Sequence, residues 1–225
     1  MTIHFQREVE KLKDKLLHLC GMVEDSLRKA AVAFERGDSK LAREVIDADQ
    51  QIDLAEMDIE EECLKILALH QPVAIDLRFI VAALKMNNDL ERVGDLATNI
   101  AERAISCRDE ECGDVPEEIL EMVRLTQEML KQSIDALINM DGDLARRVCD
   151  ADDRVDELNR RVYEIIRAEI GSGNRLPPGR LNVLAVSRHL ERIADHATNI
   201  AEDVIYMVRG KIARHPSATG ANNPS

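Results

Sequence analysis

Two sets of acidic side chains, each with one amide, occur in this sequence at helical spacing. Each set joins an Asp-x-x-x-Asp pair to a later Glu-x-x-x-Asp-x-x-x-Asn series. The first set is Asp49, Asp53, Glu91, Asp95 and Asn99, and the second is Asp152, Asp156, Glu191, Asp195 and Asn199. Side chains four residues apart lie on one face of an α-helix, one turn above the other. Each set therefore predicts four carboxylates that face one another across two antiparallel helices.

Carboxylates at such close range repel one another, and some of them are protonated at neutral pH unless cations intervene. A hard multivalent ion removes that cost, and carboxylate oxygens suit Mg²⁺, Mn²⁺ or iron. Asn99 and Asn199 can add a carbonyl ligand or a supporting hydrogen bond. We predict a metal site in each set. The competing interpretation is that the acids form structural salt bridges with Arg92, Arg192 or other basic residues.

The two sets occupy corresponding parts of an internal duplication. Residues 90–102 recur as residues 190–202, with ten of thirteen positions identical at an offset of 100. Residues 41–53 recur as residues 144–156, with eight of thirteen identical at an offset of 103. Chance does not produce both matches in the same order, so the chain is a duplicated three-helix unit.

Apolar periodicity and chain breakers predict six long helices, which must position these acids. The predicted helices run from about Ile3 to Arg36, Leu41 to His70, Asp76 to Cys107, Pro116 to Met140, Leu144 to Ile170 and Arg180 to Arg209. We predict an all-α fold of two tandem three-helix bundles, with six long antiparallel helices related by a pseudo-twofold axis. The first repeat is expected to span residues 1–112 and the second residues 113–215, with a disordered tail at residues 216–225.

Composition limits the class of protein. The 225 residues carry a formal net charge of −13, which argues against nucleic acid as the main ligand. The chain opens without a signal peptide pattern and has no apolar run near the length of a membrane span, so we expect a cytoplasmic protein. The five cysteines lack scaffold-like spacing and are predicted to act as small hydrophobic residues. They are Cys20, Cys63, Cys107, Cys112 and Cys149.

No catalytic arrangement competes with the acidic sets. None of the six histidines follows a glutamate by three residues, as the ferritin-type diiron bundles require. The Gly171-Ser172-Gly173 loop lacks the lysine and the preceding strand of a phosphate-binding loop. His189 and His196 share a face of the sixth helix and are predicted to lie outside the metal sites. We therefore expect a protein that is not an enzyme.

The repeated segments LERVGDLATNIAE and LERIADHATNIAE resemble the signature of the PhoU family of phosphate-uptake regulators. The segment PVAIDLR at residues 72–78 strengthens the resemblance, which covers roughly Ile3 to Arg214. The resemblance implies paired three-helix bundles that bind iron, zinc, manganese or magnesium at the acidic motifs. The first copy departs from the family pattern at Leu96, where the second has the more typical His196. The second copy lacks the PVAIDLR opening and has the Pro177-Pro178 loop instead. The two sites can therefore differ in metal content or in partner contacts.

The resemblance further implies a cytoplasmic negative regulator of the phosphate-starvation (Pho) response. Such a protein is an adaptor between the ATPase subunit of the phosphate ABC transporter and a phosphate-sensing histidine kinase. It is expected to form a homodimer, to bind no nucleic acid and to reach the membrane only through its partners. The alternative prediction is a carboxylate-bridged helical-bundle metalloenzyme or metal store.

Overall fold

The computed structural model describes residues 3–172 and 175–209, and within them it contains six α-helices and no β-strand. The helices are α1 (Ile3–Arg36), α2 (Ser39–His70), α3 (Ile75–Glu110), α4 (Glu117–Asn139), α5 (Gly142–Gly171) and α6 (Arg180–Arg209). The predicted all-α class and the six helices are confirmed, with boundaries shifted by at most a few residues. The tail predicted for residues 216–225 lies outside the described residues. No helix in the described part of the chain is long and apolar enough to cross a membrane.

Corresponding helices of the two repeats begin in the same way. Asp38 precedes α2, and its carboxylate accepts hydrogen bonds from two backbone N–H groups of the first turn at 3.0 and 3.1 Å. Asp141 does the same before α5, with both hydrogen bonds at 2.9 Å. The chain reverses just before each cap through a residue with positive φ, which is Gly37 in the first repeat and Met140 in the second. The duplication thus extends to the N-terminal caps.

Helices α3 and α6 lie side by side at the centre and run antiparallel. Lys85, near the start of α3, pairs with Asp203, near the end of α6, at 3.1 Å. Towards the other end, Arg103 donates a hydrogen bond to Asn182 at 3.3 Å. Each central helix also packs against the other two helices of its own repeat, and in the described residues α2 and α5 contact only helices of their own repeat. The acid-bearing pairs α2–α3 and α5–α6 therefore lie on opposite flanks of the molecule.

One buried polar contact at the same level in each repeat fixes how the acid-bearing helices align. The Asn87 amide on α3 donates to the backbone oxygen of Glu56 on α2 at 2.9 Å. In the second repeat the Ser187 hydroxyl donates to Asn159 at 2.9 Å. These positions correspond under the duplication, so both pairs of helices have the same vertical alignment.

Cys107 and Cys112 form a disulfide, so the prediction that all five cysteines are small hydrophobic residues is wrong for this pair. The chain reverses just after α3 ends, and this brings the two Cα atoms to 4.9 Å, within the range that a disulfide spans. Cys20 and Cys63 are free and buried in the core, as predicted, and Cys149 is free and half-buried.

Close packing between α2 and α3 depends on a small residue beside the first acidic set. A Cβ atom added at Gly94 would lie 3.1 and 3.3 Å from two side-chain carbons of Ile52. The second repeat has Ala194 and Val155 at the corresponding positions, so a larger residue on one helix is matched by a smaller one on the other.

We expect Gly94→Ala and Ile52→Val to be coupled in stability. The added methyl group crowds Ile52, which offsets the roughly 1 kcal/mol that alanine gains over glycine in a helix. Ile52→Val alone should cost about 1 kcal/mol, whereas in the Gly94→Ala background it should cost less or stabilise the fold. Urea unfolding of the two single variants and the double variant measures the coupling, expected at about 1 kcal/mol. Additive effects would contradict the packing argument.

Candidate metal centre

Three carboxylates of the first repeat converge on one point between α2 and α3. One oxygen from each of Asp49, Asp53 and Asp95 lies within 4.8 Å of the other two. Asp49 and Asp53 are one turn apart on α2, and Asp95 faces them from α3. Oδ1 of Asp49 is buried, and the protein supplies it with no hydrogen bond of regular geometry. The structure therefore brings together three of the five residues predicted for this site.

The dimensions and chemistry of this group suit a hard cation. Two oxygens on opposite sides of one ion are roughly 4 to 5 Å apart, twice the metal–oxygen distance of Mg²⁺ or Ca²⁺. None of the three observed oxygen–oxygen separations exceeds 4.8 Å, so all three oxygens can lie around one ion. All three donors are carboxylate oxygens, which favour magnesium, manganese or iron over zinc. A bound cation would also satisfy the buried Asp49 oxygen.

The electrostatic properties of the first set reflect the proximity of these charges. Burial raises the pKa of the Asp49 carboxyl, and the nearby charges of Asp53 and Asp95 raise it further. The Thr98 hydroxyl offsets part of this increase in pKa by interacting with the same carboxyl group. Glu91 lies one turn before Asp95, and burial, followed by the charge of Asp95, raises its pKa as well. The protein alone thus leaves these acids incompletely neutralised.

Salt bridges account for the outer edge of this cluster only. The Arg92 guanidinium contacts Glu91 at 3.4 Å and Asp95 at 3.2 Å, and all three side chains are partly exposed. Exposed pairs of this kind contribute about 0.2 to 1 kcal/mol. Neither Asp49 nor Asp53 forms an ion pair with a basic residue that the structure describes. The salt-bridge interpretation therefore does not explain why these two aspartates meet Asp95.

The second repeat holds the corresponding acids in a looser group. Burial raises the pKa of Asp152 to about 6, and the charges of Asp195 and Asp156 contribute to the shift. Burial also raises the pKa of Glu191. Within the described residues, only the first set brings three oxygens as close as 4.8 Å. The two sites have the same residue types but different geometry.

An arginine-lined cleft lies beside the second set. Its volume is about 440 Å³, and its charged walls are three arginines and two glutamates: Arg160, Arg167, Arg188, Glu164 and Glu191. These positive charges partly oppose the negative charge of the second set. The surroundings of the two sites therefore differ in charge as well as in geometry.

The two predicted asparagines occupy different surroundings. Asn99 is half-buried on α3, one turn beyond Asp95. Asn199 is directed towards the other repeat, where its amide nitrogen donates to Asp89 of α3 at 3.3 Å. His196 contacts the same Asp89 oxygen through Nδ1 at 2.8 Å. The structure thus places Asn199 and His196 in a polar contact between the two repeats.

Sequence reasoning missed the role of Thr98 beside Asp49. The sequence does single out this threonine, because the repeated ATNIAE segment carries Thr98 in one copy and Thr198 in the other. It also missed Asp89, because the duplication aligns Asp89 with His189 and so gives no acid at the corresponding position in the second copy.

We expect the effect of Asp152→Asn on stability to change sign with metal. The folded-state pKa of Asp152, about 6, lies above the usual aspartate value of about 3.9, so ionisation opposes folding. In metal-free protein the Asp152→Asn variant should be more stable than the unaltered chain. This difference in stability should grow as the pH rises from about 4 to 6 and persist above that range. In metal-saturated protein the same change removes a ligand charge and should lower the melting temperature.

Melting curves at pH 7.5, recorded with chelator and with excess Mn²⁺, measure both effects. The matched control is Asp150→Asn, which removes the same charge from an exposed position on α5. A shift of the same sign in both conditions would argue against metal binding at Asp152.

Comparison with known proteins places this chain in a family. A PhoU domain profile matches the chain twice, over residues 16–104 and 119–204. A phosphate-specific transport system accessory protein PhoU homologue of Pseudomonas aeruginosa is 39% identical over 218 residues, which are 96% of this chain and 89% of the relative. The Escherichia coli accessory protein PhoU is 33% identical over 211 residues, covering 94% of this chain and 88% of the relative.

Solved structures show the same fold. The crystal structure of PhoU from Pseudomonas aeruginosa superimposes with a TM-score of 0.89 at 38% identity, covering 92% of this chain and 100% of that one. The phosphate transport system regulatory protein PhoU from Streptococcus pneumoniae gives a TM-score of 0.85 at 28% identity, covering 92% and 98%.

Proposed function

The chain belongs to the PhoU domain family, and from this membership we propose that it is a metal-binding regulator of phosphate uptake. It represses the phosphate-starvation response as an adaptor between the ATPase subunit of a phosphate ABC transporter and a phosphate-sensing histidine kinase. Its relatives are named as accessory proteins of the phosphate-specific transport system, which supports this proposal. We place the protein in the cytoplasm as a homodimer that reaches the membrane only through its partners.

The convergence of Asp49, Asp53 and Asp95 is the observation that carries the metal-binding part of the proposal. These residues would hold the ion, with Glu91 and Asn99 at the edge of the site. The bound ion would supply positive charge where the protein has gathered negative charge. Because the ligands come from two helices, binding would fix α2 against α3, which is a structural role and not a catalytic one.

An adaptor needs a surface for its partners, and an apolar groove between the two repeats supports this role. The groove has a volume of about 760 Å³ and lies between the first half of α1, the start of α3 and the end of α4. Its walls include Ile75 and Ile138, whose exposed fractions are 61% and 52%. Large apolar side chains clustered at a surface are typical of protein-binding sites. We propose that a component of the phosphate transport system binds here.

The double variant Ile75→Asp, Ile138→Asp tests this contact. Charges in an apolar interface should weaken the capture of transporter components about tenfold or more, because buried apolar anchors often contribute over 1 kcal/mol each. Metal content should stay unchanged. The measurement is a pull-down from cell membranes with the purified, metal-loaded chain.

The matched control is Ile170→Asp, Leu181→Asp, which changes two apolar residues of similar exposure, 55% and 62%, on α5 and α6 and outside the groove. Equal capture by both double variants would remove the groove as the binding surface. Loss of capture by the control alone would move the contact to the surface around Ile170 and Leu181.

A further inference from the structure

The disulfide between Cys107 and Cys112 lies at the junction of the two repeats. It joins the last turns of α3 to the linker of residues 111–116 that leads into α4. Only four residues separate the two cysteines, and a loop this short restricts the unfolded chain less than a long one does. The bond therefore acts mainly on the local conformation of the linker.

The linker is also the place where the end of the first repeat contacts the start of α6. The backbone N–H of Gly179 donates to the carbonyl oxygens of Glu110 at 3.2 Å and Glu111 at 3.4 Å. The Arg180 guanidinium donates to the carbonyl oxygen of Cys112 at 3.4 Å. A Cβ atom at Gly179 would lie 2.9 Å from the Cys112 sulfur, so no side chain fits between linker and helix. The Cys112 sulfur is therefore part of the contact between linker and helix.

Reduction changes this contact chemically. The Cys112 sulfur lies 2.9 Å from the carbonyl oxygen of Gly179. A disulfide sulfur carries no hydrogen, whereas a thiol can donate a weak hydrogen bond to that oxygen. This bond favours the contact, so loosening on reduction has to come from the linker backbone. Reduction also opens the ring that contains Glu111, whose φ of 57° is unfavourable for a residue with a side chain. The open linker is free to leave this conformation.

The other cysteines do not compete for oxidation. Burial raises the pKa of the Cys20 and Cys63 thiols to about 12 and that of Cys149 to about 11. Thiolates are the reactive species, so these three thiols are poor nucleophiles at neutral pH. Oxidation is directed to the pair at the junction.

We propose that Cys107 and Cys112 form a reversible redox site that controls the linker between the repeats. In the oxidised state the linker is held on the start of α6, and in the reduced state it is loosened. The oxidant is a small-molecule disulfide. The two thiols give up two protons and two electrons to form the S–S bond, and the small disulfide is cleaved and reduced to two thiols.

The test equilibrates the full, metal-loaded chain in buffers of graded reduced-to-oxidised glutathione ratio. Alkylation and mass spectrometry count free thiols, and hydrogen exchange follows residues 108–116 and 177–182. We expect Cys107 and Cys112 to oxidise together while the other three stay reduced. Exchange in both segments should be at least several-fold slower in the oxidised state.

Two variants complete the experiment. Cys107→Ser should exchange as fast as the reduced protein at every glutathione ratio, and Cys149→Ser should behave like the unaltered chain. The proposal would be overturned if the pair stayed reduced in excess oxidised glutathione or stayed oxidised in excess reduced glutathione. It would also be overturned if the oxidised and reduced chains exchanged at equal rates. If Cys107→Ser fails to fold, the comparison of oxidised and reduced unaltered protein still decides.

Discussion

A chain carrying Asp49→Asn, Asp53→Asn and Asp95→Asn is expected to lose the metal of its first repeat and keep that of its second. Asparagine preserves the shape of each side chain but removes its charge, and three neutral amides bind a hard cation far more weakly than three carboxylates. Elemental analysis of the purified variant should show a reduced number of metal ions per chain, above zero. The same analysis of the unaltered chain identifies the metal.

The stability of this variant should lose its dependence on first-site metal. A ligand that binds only the folded state at one hundred times its Kd adds about 2.7 kcal/mol, which is roughly 5 to 11 °C in melting temperature for a chain of this size. Chelator should lower the melting temperature of the unaltered chain by this order and that of the triple variant by clearly less.

The matched control removes three exposed charges from α2, through Asp47→Asn, Glu60→Gln and Glu61→Gln. It should retain full metal content and the full response to chelator. Unchanged metal in the triple variant would show that the site is misassigned. Identical melting of the unaltered chain with and without chelator would favour the interpretation in which Arg92 and other basic residues already satisfy the acids.

The fold could be predicted from the sequence because its signals are local or repeated. Asp38 and Asp141 mark helix starts by their own chemistry, since a carboxylate beside free N–H groups caps a helix wherever it stands. The duplication then gave each predicted helix a counterpart in the other repeat, which supported its assignment. Helical spacing also brought Asp49, Asp53 and Asp95 to one point, because it fixes which face of a helix each side chain occupies.

The parts that the sequence did not predict depend on contacts between distant elements. Asn199 lies on the expected helix, yet it binds Asp89 of the other repeat, because a helix face is wide enough to meet two neighbours. The disulfide requires the chain to reverse after α3, and the four residues between Cys107 and Cys112 do not encode that reversal. The second acidic set has different surroundings, including Arg188, which similarity between the repeats does not reveal.

Deleting the gene for this protein should leave phosphate-starvation genes switched on in phosphate-rich medium. If the chain carries the repressing signal from transporter to kinase, its loss leaves the kinase without that signal whatever the phosphate supply. A reporter for a phosphate-starvation promoter, measured in phosphate-rich medium, gives the result. Expression of the full chain from a plasmid should restore repression, and a chain shortened after His215 should restore it as well.

The variants described above separate the two parts of the proposed function in the same strain. The groove variant Ile75→Asp, Ile138→Asp should fail to restore repression although it keeps its metal, because the partner contact is lost. Its control, Ile170→Asp, Leu181→Asp, should restore repression. Failure of the triple asparagine variant at normal protein levels would show that the first-site metal is needed for signalling.

Normal repression in the deletion strain, with no second copy of the gene present, would remove the regulatory function. The metalloenzyme or metal store would then take its place, to be tested by oxidase activity and iron retention of the iron-loaded chain.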